Sequence, residues 1–235
     1  MRVAALYDVH GNLPALEAVL AEIEDEQPDI VLVGGDVVWG PMPQETLALL
    51  RGLGGRVHFI RGNADREVVE RGTTYAETLW CAARLGDEEH AFLAALPETL
   101  TLDVEGLGAA LFCHASPRSD EEPITVASPE ARLAEILAGV EEGVVVFGHT
   151  HAQFEREALG KRLVNPGSVG LPLGAPGAYW ALLGPGVELR KTGYDVEAAA
   201  KRIRATGLPR AEEYFVRNVL EPPPLDAALR FEPSA

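Results

Sequence analysis

Residues Met1 to Asn12, MRVAALYDVHGN, decide the fold. Val3 to Leu6 is a short apolar run of strand character, and Asp8, Val9, His10, Gly11 and Asn12 lead from it straight into a helical stretch. An acid and an imidazole two positions apart at the C-terminal end of a strand can point into one crevice, where α/β sheets bind their ligands. A carboxylate and a neutral imidazole together suit a borderline divalent metal. Taken alone, Asp-x-His also describes a surface turn ahead of a helix cap, so the rest of the chain has to decide.

Working outward, Asn12 to Gln27 predicts a helix: Asn12 is an N-cap, Pro14 sits in the first turn, and Leu13, Leu16, Val19, Leu20 and Ile23 form one apolar face. Asp29 to Val33 has the continuous apolar character of a strand buried on both faces, and it ends in Gly34, Gly35, Asp36. A helix over Gln44 to Leu53 and a strand over Val57 to Ile60, ending in Arg61, Gly62, Asn63, repeat the rhythm. That alternation predicts a parallel sheet with right-handed crossovers. Ala64 to Arg71 continues as helix, and Thr73 to Pro97 is helical with interruptions, with Trp80, Phe92 and Leu93 in the core.

From Leu100 the pattern changes. Leu100 to Val104 and Ala109 to Cys113 flank a turn and predict a hairpin whose second strand ends in His114. A Pro-, Ser- and Glu-rich loop, Ser116 to Ser128, has the length of many functional, mobile loops. A helix over Pro129 to Val140 precedes a strand, Val144 to Phe147, which ends in Gly148, His149, Thr150, His151. Phe154–Glu157, Arg162–Val164, Ala178–Leu183 and Val187–Lys191 are expected to form a second, more antiparallel sheet, and Asp195 caps a helix to Ala205. Residues 1–207 are thus expected to form one domain, with 208–235 as a tail packed on it or trailing from it.

At 235 residues, 47% hydrophobic and 24% charged, the chain has the composition of an ordinary globular protein. A net charge of −16 leaves no basic stripe for nucleic acid or an anionic membrane. It does not exclude a small anionic substrate, because bound cations can dominate a local field. Two cysteines, Cys81 and Cys113, give no disulfide framework, and no signal peptide or membrane span is visible; a cytoplasmic setting is expected.

Five strand ends therefore carry metal-competent side chains: Asp8 and His10, Asp36, Asn63, His114, and His149 with His151. Four of the six histidines fall there, two of them directly beside a glycine (His10 and His149), while His58 and His90 sit inside elements. Two acids, one carboxamide and four imidazoles suffice for two cations and are too many for one tetrahedral zinc. A single carboxylate can bridge two ions about 3.5–4 Å apart, and Asp36 is the natural candidate.

The ordered blocks DVHGN, GGDVVWGP, RGNAD, CHASP and GHTH, with NPGSVGLP from Asn165, resemble the calcineurin-like metallophosphoesterase superfamily, and within it the small bacterial and archaeal phosphodiesterases of the YfcE type. The resemblance covers roughly residues 1–172. It implies a two-sheet mixed β sandwich flanked by helices in four layers, α/β/β/α. It also implies ligand roles: Asp8, His10 and His151 for one ion, Asn63, His114 and His149 for the other, and Asp36 between them. Manganese is the foremost expectation, with iron, zinc, cobalt or nickel as alternatives. The implied reaction is in-line attack on a phosphate ester by hydroxide held between the ions, with the Asn63 amide assisting charge on the phosphoryl oxygens.

The chain departs from many phosphomonoesterases of the superfamily at one point. Those read GNH(E/D), whose histidine is taken as the leaving-group acid; here the block is Gly62, Asn63, Ala64, Asp65. Asp65 is expected to orient His114, and His10 is a substitute acid if its metal bond is weak. Without the acid, diesters or activated esters are favoured over poor leaving groups. Tyr7, Trp39 and Arg66 are the candidate substrate contacts, and Ser168 is a turn residue because no relay is free to activate it. The expected activity is a phosphodiesterase on a small or nucleotide-like compound. The alternatives are a phosphomonoesterase, including a protein serine/threonine phosphatase, a dinucleoside polyphosphate hydrolase, or a non-enzymatic scaffold of the same fold. A homo-oligomer is open.

Overall fold

The computed structural model describes residues 1–232. Along the chain run β1 (Val3–Leu6), α1 (Leu13–Glu26), β2 (Ile30–Val33), α2 (Pro43–Arg51), β3 (Val57–Phe59), α3 (Asn63–Glu70), α4 (Ala76–Ala82), α5 (Asp87–Ala94), β4 (Thr99–Val104) and β5 (Gly108–Cys113). Then follow α6 (Glu130–Ile136), β6 (Val144–Val146), β7 (Phe154–Ala158), β8 (Lys161–Asn165), β9 (Ala178–Leu183), β10 (Val187–Thr192), α7 (Val196–Ala205) and α8 (Arg217–Leu220). A π-helical turn, Glu212–Val216, leads into α8, and a 3-10 stretch, Leu225–Phe231, follows it. The caps read from the sequence are in place: the Asn12 and Asp195 side chains accept from the amides of Ala15 (3.3 Å) and Ala198 (2.9 Å).

Two five-stranded sheets result, β10-β9-β1-β2-β3 and β4-β5-β6-β8-β7. The expected parallel run is β1, β2 and β3; in the second sheet β5, β6 and β8 are parallel and hairpin partners close both edges. The last four strands do not share a sheet, contrary to expectation. β7 and β8 join the second sheet, while β9 pairs antiparallel with β1 and brings β10 with it. β9 suits that interior place because both its faces are buried: Trp180 and Leu182 turn to the helices, and Leu183 to the other sheet.

Alternation along each strand builds four layers. Ala4 and Leu6 of β1 pack with Leu16, Val19 and Ile23 of α1, whereas Val3, Ala5 and Tyr7 pack with Phe112, Val144 and Val146 across the sandwich. Val145 and Leu163 on the outer face of the second sheet meet Leu133 and Ile136 of α6. Residues 208–232 pack against both halves: Phe215, Val216 and Val219 enter the helix-side core, and Ala228 enters the outer core of the second sheet. Residues 233–235 of the expected tail lie outside the described residues. Among the described residues no helix is long and apolar enough to cross a membrane, and both cysteines are free and buried.

Candidate metal centre

The parallel strands β1, β2 and β3 of one sheet and β5 and β6 of the other all deliver their C-terminal ends to one edge of the sandwich, and all seven candidate ligands follow them. The backbone there is strained. Nine described non-glycine residues have positive φ, and five of them are Asp8 (54°), His10 (48°), Asp36 (54°), His149 (66°) and His151 (60°). A left-handed residue costs about 1–2 kcal/mol. The loops bear it because they continue to pair beyond the strands: the amides of Asp8, His10 and Gly11 donate to the carbonyls of Gly35 (3.2 Å), Asp36 (2.8 Å) and Val37 (2.9 Å). Gly62 permits a close approach, since a Cβ there would lie 2.2 Å from Asp36 Oδ1.

Three imidazoles are oriented alike. His10, His114 and His151 each place Nδ1 on a backbone carbonyl, of Trp39 (3.1 Å), Gly34 (2.8 Å) and Leu171 (2.7 Å), which leaves Nε2 facing inward. Such a bond fixes the tautomer of a metal-binding histidine. His10 Nε2 lies 3.1 Å from His151 Nε2 and 3.6 Å from Asp36 Oδ2. His114 Nε2 lies 3.5 Å from Asp36 Oδ1, 4.0 Å from Asp8 Oδ1 and 3.1 Å from Asn63 Oδ1. His151 Nε2 is 3.5 Å from Asp8 Oδ1, and His149 turns its Nδ1 to Asn63 Oδ1 at 3.0 Å.

These donors fit cations. Asp8, His10 and His151 offer ligand atoms within 4.8 Å of one another, and so do Asp8, Asp36 and His114. Asp8 Oδ1 is fully buried and has no hydrogen-bond partner, a state that is costly unless a positive charge faces it. Two inward nitrogens 3.1 Å apart share at most one proton, and a cation satisfies both. Burial depresses His10 to a pKa of about 4, and it lowers His149 as well, so both favour the neutral form that binds metal. Burial opposes a charge on His114, but Asp36 and Asp8 pull its pKa up to about 10.

The supporting contacts differ in part from expectation. Asp65 does not reach His114, whose Nδ1 is taken by Gly34. Asp65 instead accepts from the amides of Val37 (2.8 Å), Val38 (3.1 Å) and Gly62 (3.2 Å), and so ties the loop after β2 to the start of α3. Its burial, with Asp36 nearby, raises its pKa to about 6. Asp36 Oδ1 accepts from Ala64 N (2.8 Å) and Asp8 Oδ2 from His149 N (3.0 Å). Ser168 is fully buried, donating to the Asp8 carbonyl (2.8 Å) and accepting from Leu171 N (2.7 Å), as a turn residue does.

A cavity of about 380 Å³ opens over this set, lined by His10, Asp36, Asn63, His149 and His151 at its base and by Trp39, Leu171, Tyr214 and Phe231 on one wall. Of the candidate substrate contacts only Trp39 lies there. Tyr7 is fully buried with its hydroxyl on the Val146 carbonyl (3.1 Å). Arg66 is turned away by Asp120 (2.7 Å) and Glu121 (2.6 Å), which pins the Ser116–Ser128 loop outside the cavity. The sequence reading missed Glu67, Glu77, Tyr214 and Phe231. Glu67 was findable: it lies one helical turn after Asn63, on the same face of α3, and lines the cavity. Tyr214 and Phe231 come from the far end of the chain, and no local pattern marks them.

Residues 1–184 match the family model of the calcineurin-like phosphoesterase superfamily domain. An uncharacterized protein of Methanocaldococcus jannaschii is 28% identical over 88% of this chain and 93% of its own length. The crystal structure of a metallophosphoesterase from Sphaerobacter thermophilus superposes with a TM-score of 0.76 at 26% identity, covering 93% of this chain and 98% of that one. YfcE, a phosphoesterase from E. coli, shares the fold at a TM-score of 0.50 and 20% identity, over 77% of this chain and 87% of its own. With a fold, an array of strand-end ligands and a family model that agree, the chain belongs to the calcineurin-like phosphoesterases, metal-dependent hydrolases of phosphate esters.

Proposed function

We propose that the protein is a phosphodiesterase acting on a small ester, with two divalent cations, manganese foremost, held by Asp8, His10, Asp36, Asn63, His114, His149 and His151. Asp36 is the bridging ligand in this proposal, because its Oδ2 faces His10 and its Oδ1 faces His114. Bound cations supply Lewis acidity that makes hydroxide accessible near neutral pH and neutralises phosphoryl oxygens. The protein does the rest: backbone carbonyls aim three imidazoles inward, and Asp65 fixes the loop that carries Asp36.

One observation supports the diester preference: no lysine or arginine is among the described residues lining the cavity directly over the ligands, and the nearest, Arg217 and Arg230, line the adjoining hollow behind its aromatic wall. A polyphosphate gains most from cationic side chains beyond the metals, whereas a diester offers one charge and apolar arms that suit an aromatic wall. The leaving-group acid points the same way. Ala64 occupies the place of the family histidine, and His10 has both ring nitrogens engaged, Nδ1 with Trp39 and Nε2 toward His151. The test is hydrolysis of bis(p-nitrophenyl) phosphate beside p-nitrophenyl phosphate, with manganese and with chelator. Chelator-sensitive cleavage favouring the diester is expected; a monoester preference would overturn the proposal.

A further inference from the structure

Behind the aromatic residues of the metal cavity lies a second hollow of about 320 Å³, a volume of the order of small-molecule sites. It adjoins the metal cavity, because Trp39, His151, Leu171, Tyr214 and Phe231 line both. Its far side comes from the end of the chain: Arg217, Asn218 and Glu221 in and just after α8, and Arg230 from the 3-10 stretch.

The two arginines are unusual in so acidic a chain. Elsewhere acids hold such groups: Asp120 and Glu121 hold Arg66, Glu188 and Glu26 hold Arg190, and Glu212 holds Arg204. Among the described residues the Arg217 and Arg230 guanidinium groups take part in no ion pair or hydrogen bond; Arg230 only lies over the Phe231 ring, 5.2 Å from its centroid. Asn218 adds an independent observation. Its Oδ1 is buried without a hydrogen-bond partner, an unmet acceptor that a ligand N–H or O–H would satisfy.

Charge decides what the arginines would hold. Glu213, which also lines the hollow, is neutralised by Arg210 (3.0 and 2.6 Å), whereas Glu221 is in no ion pair among the described residues. Two guanidinium groups against one free carboxylate leave a single positive charge. That balances a carboxylate, whose two oxygens match the guanidinium fork, and falls short of a phosphate dianion.

We propose that this hollow binds the far end of the ester: Arg217 and Arg230 take a carboxylate, and Asn218 Oδ1 accepts from an N–H or O–H beside it. The preferred substrates are then phosphodiesters with one arm ending in an acid that carries such a donor. This rests on the phosphodiesterase reading and adds the chemistry of one arm. Both arginines are specificity residues and touch no reacting atom.

The test uses the manganese-loaded full chain and p-nitrophenyl phosphodiesters whose second arm is N-(hydroxyacetyl)glycine or N-(4-hydroxybutyryl)glycine, each beside its glycinamide counterpart, which lacks the charge. At the arm length that reaches, wild type should favour the acid by about 5–10-fold in kcat/KM, the reach of a forked ion pair open to solvent. The double variant Arg217→Gln/Arg230→Gln should bring that ratio to near unity; both side chains are exposed, so the fold does not hang on them. Equal turnover of acid and amide by wild type at both lengths would overturn the proposal whether or not the variant folds. So would a preference that survives in full in the double variant, or a larger gain from an arm ending in phosphate than from the carboxylate. Wild-type cleavage of bis(p-nitrophenyl) phosphate separates the two inferences: if it is absent, the phosphodiesterase reading fails and takes this one with it.

Discussion

In the proposed dinuclear centre Asp36 stands between the two halves, with Oδ2 3.6 Å from His10 Nε2 and Oδ1 3.5 Å from His114 Nε2. Asp36→Asn removes charge while keeping size, and bound metal and diester hydrolysis should fall together. The loss should exceed the roughly 10–100-fold typical of residues that merely orient a ligand. Metal content by mass spectrometry, beside kcat/KM, checks this; full activity in the variant would refute the bridging role. Asp65→Asn should show the milder loss, about 10–100-fold in metal affinity, because the amide cannot accept from all three backbone N–H groups that Asp65 now satisfies. The seven candidate ligands stood out in sequence because each follows an apolar run, and four of them, His10, Asp36, Asn63 and His149, sit directly beside a glycine. Asp65 and Arg66 were misread for one reason: adjacency in sequence does not give side-chain direction. Asp65 turns under the β2 loop, and Arg66 turns out to Asp120.

At the scale of elements, β1, β2 and β3 were plain from their apolar runs, and the β4–β5 hairpin from its turn. The partners of β9 were not, because a two-sided apolar strand fits either sheet and only long-range pairing with β1 decides. The segment after Gly207 was the least legible. Its aromatic residues are sparse, yet Phe215 is fully buried and Phe231 reaches the site. Phe215→Ala should cost about 3–5 kcal/mol of stability, measured by denaturant unfolding. Glu232 fastens the same segment, accepting from Thr125, Ser128 and Arg132. Burial opposes its charge, but those donors outweigh it and hold its pKa below the ordinary value. A depressed carboxylate stabilises the fold above its unfolded pKa and loses that contribution as the pH falls through the folded value. The gap in Tm between wild type and Glu232→Gln should therefore be widest near neutrality and close in acid.

For the whole molecule, two sheets press their parallel strand ends into one edge and hold seven polar side chains there on strained backbone. Ions that bind only the folded chain must stabilise it, by about 2.7 kcal/mol at a free concentration one hundred times Kd. Chelation should lower Tm, and manganese should restore it. The net charge of −16 disfavours binding of long polyanions such as nucleic acid, while bound cations would still admit a small anionic ester. The most direct measurement strips the protein with chelator and returns manganese in steps, counting ions per chain and diester hydrolysis on the same samples. Hydrolysis should stay absent in the stripped protein, rise with added metal and level off as the second ion is taken up. Full hydrolysis by the metal-free chain, or a plateau at a single ion, would contradict a dinuclear centre built by these residues.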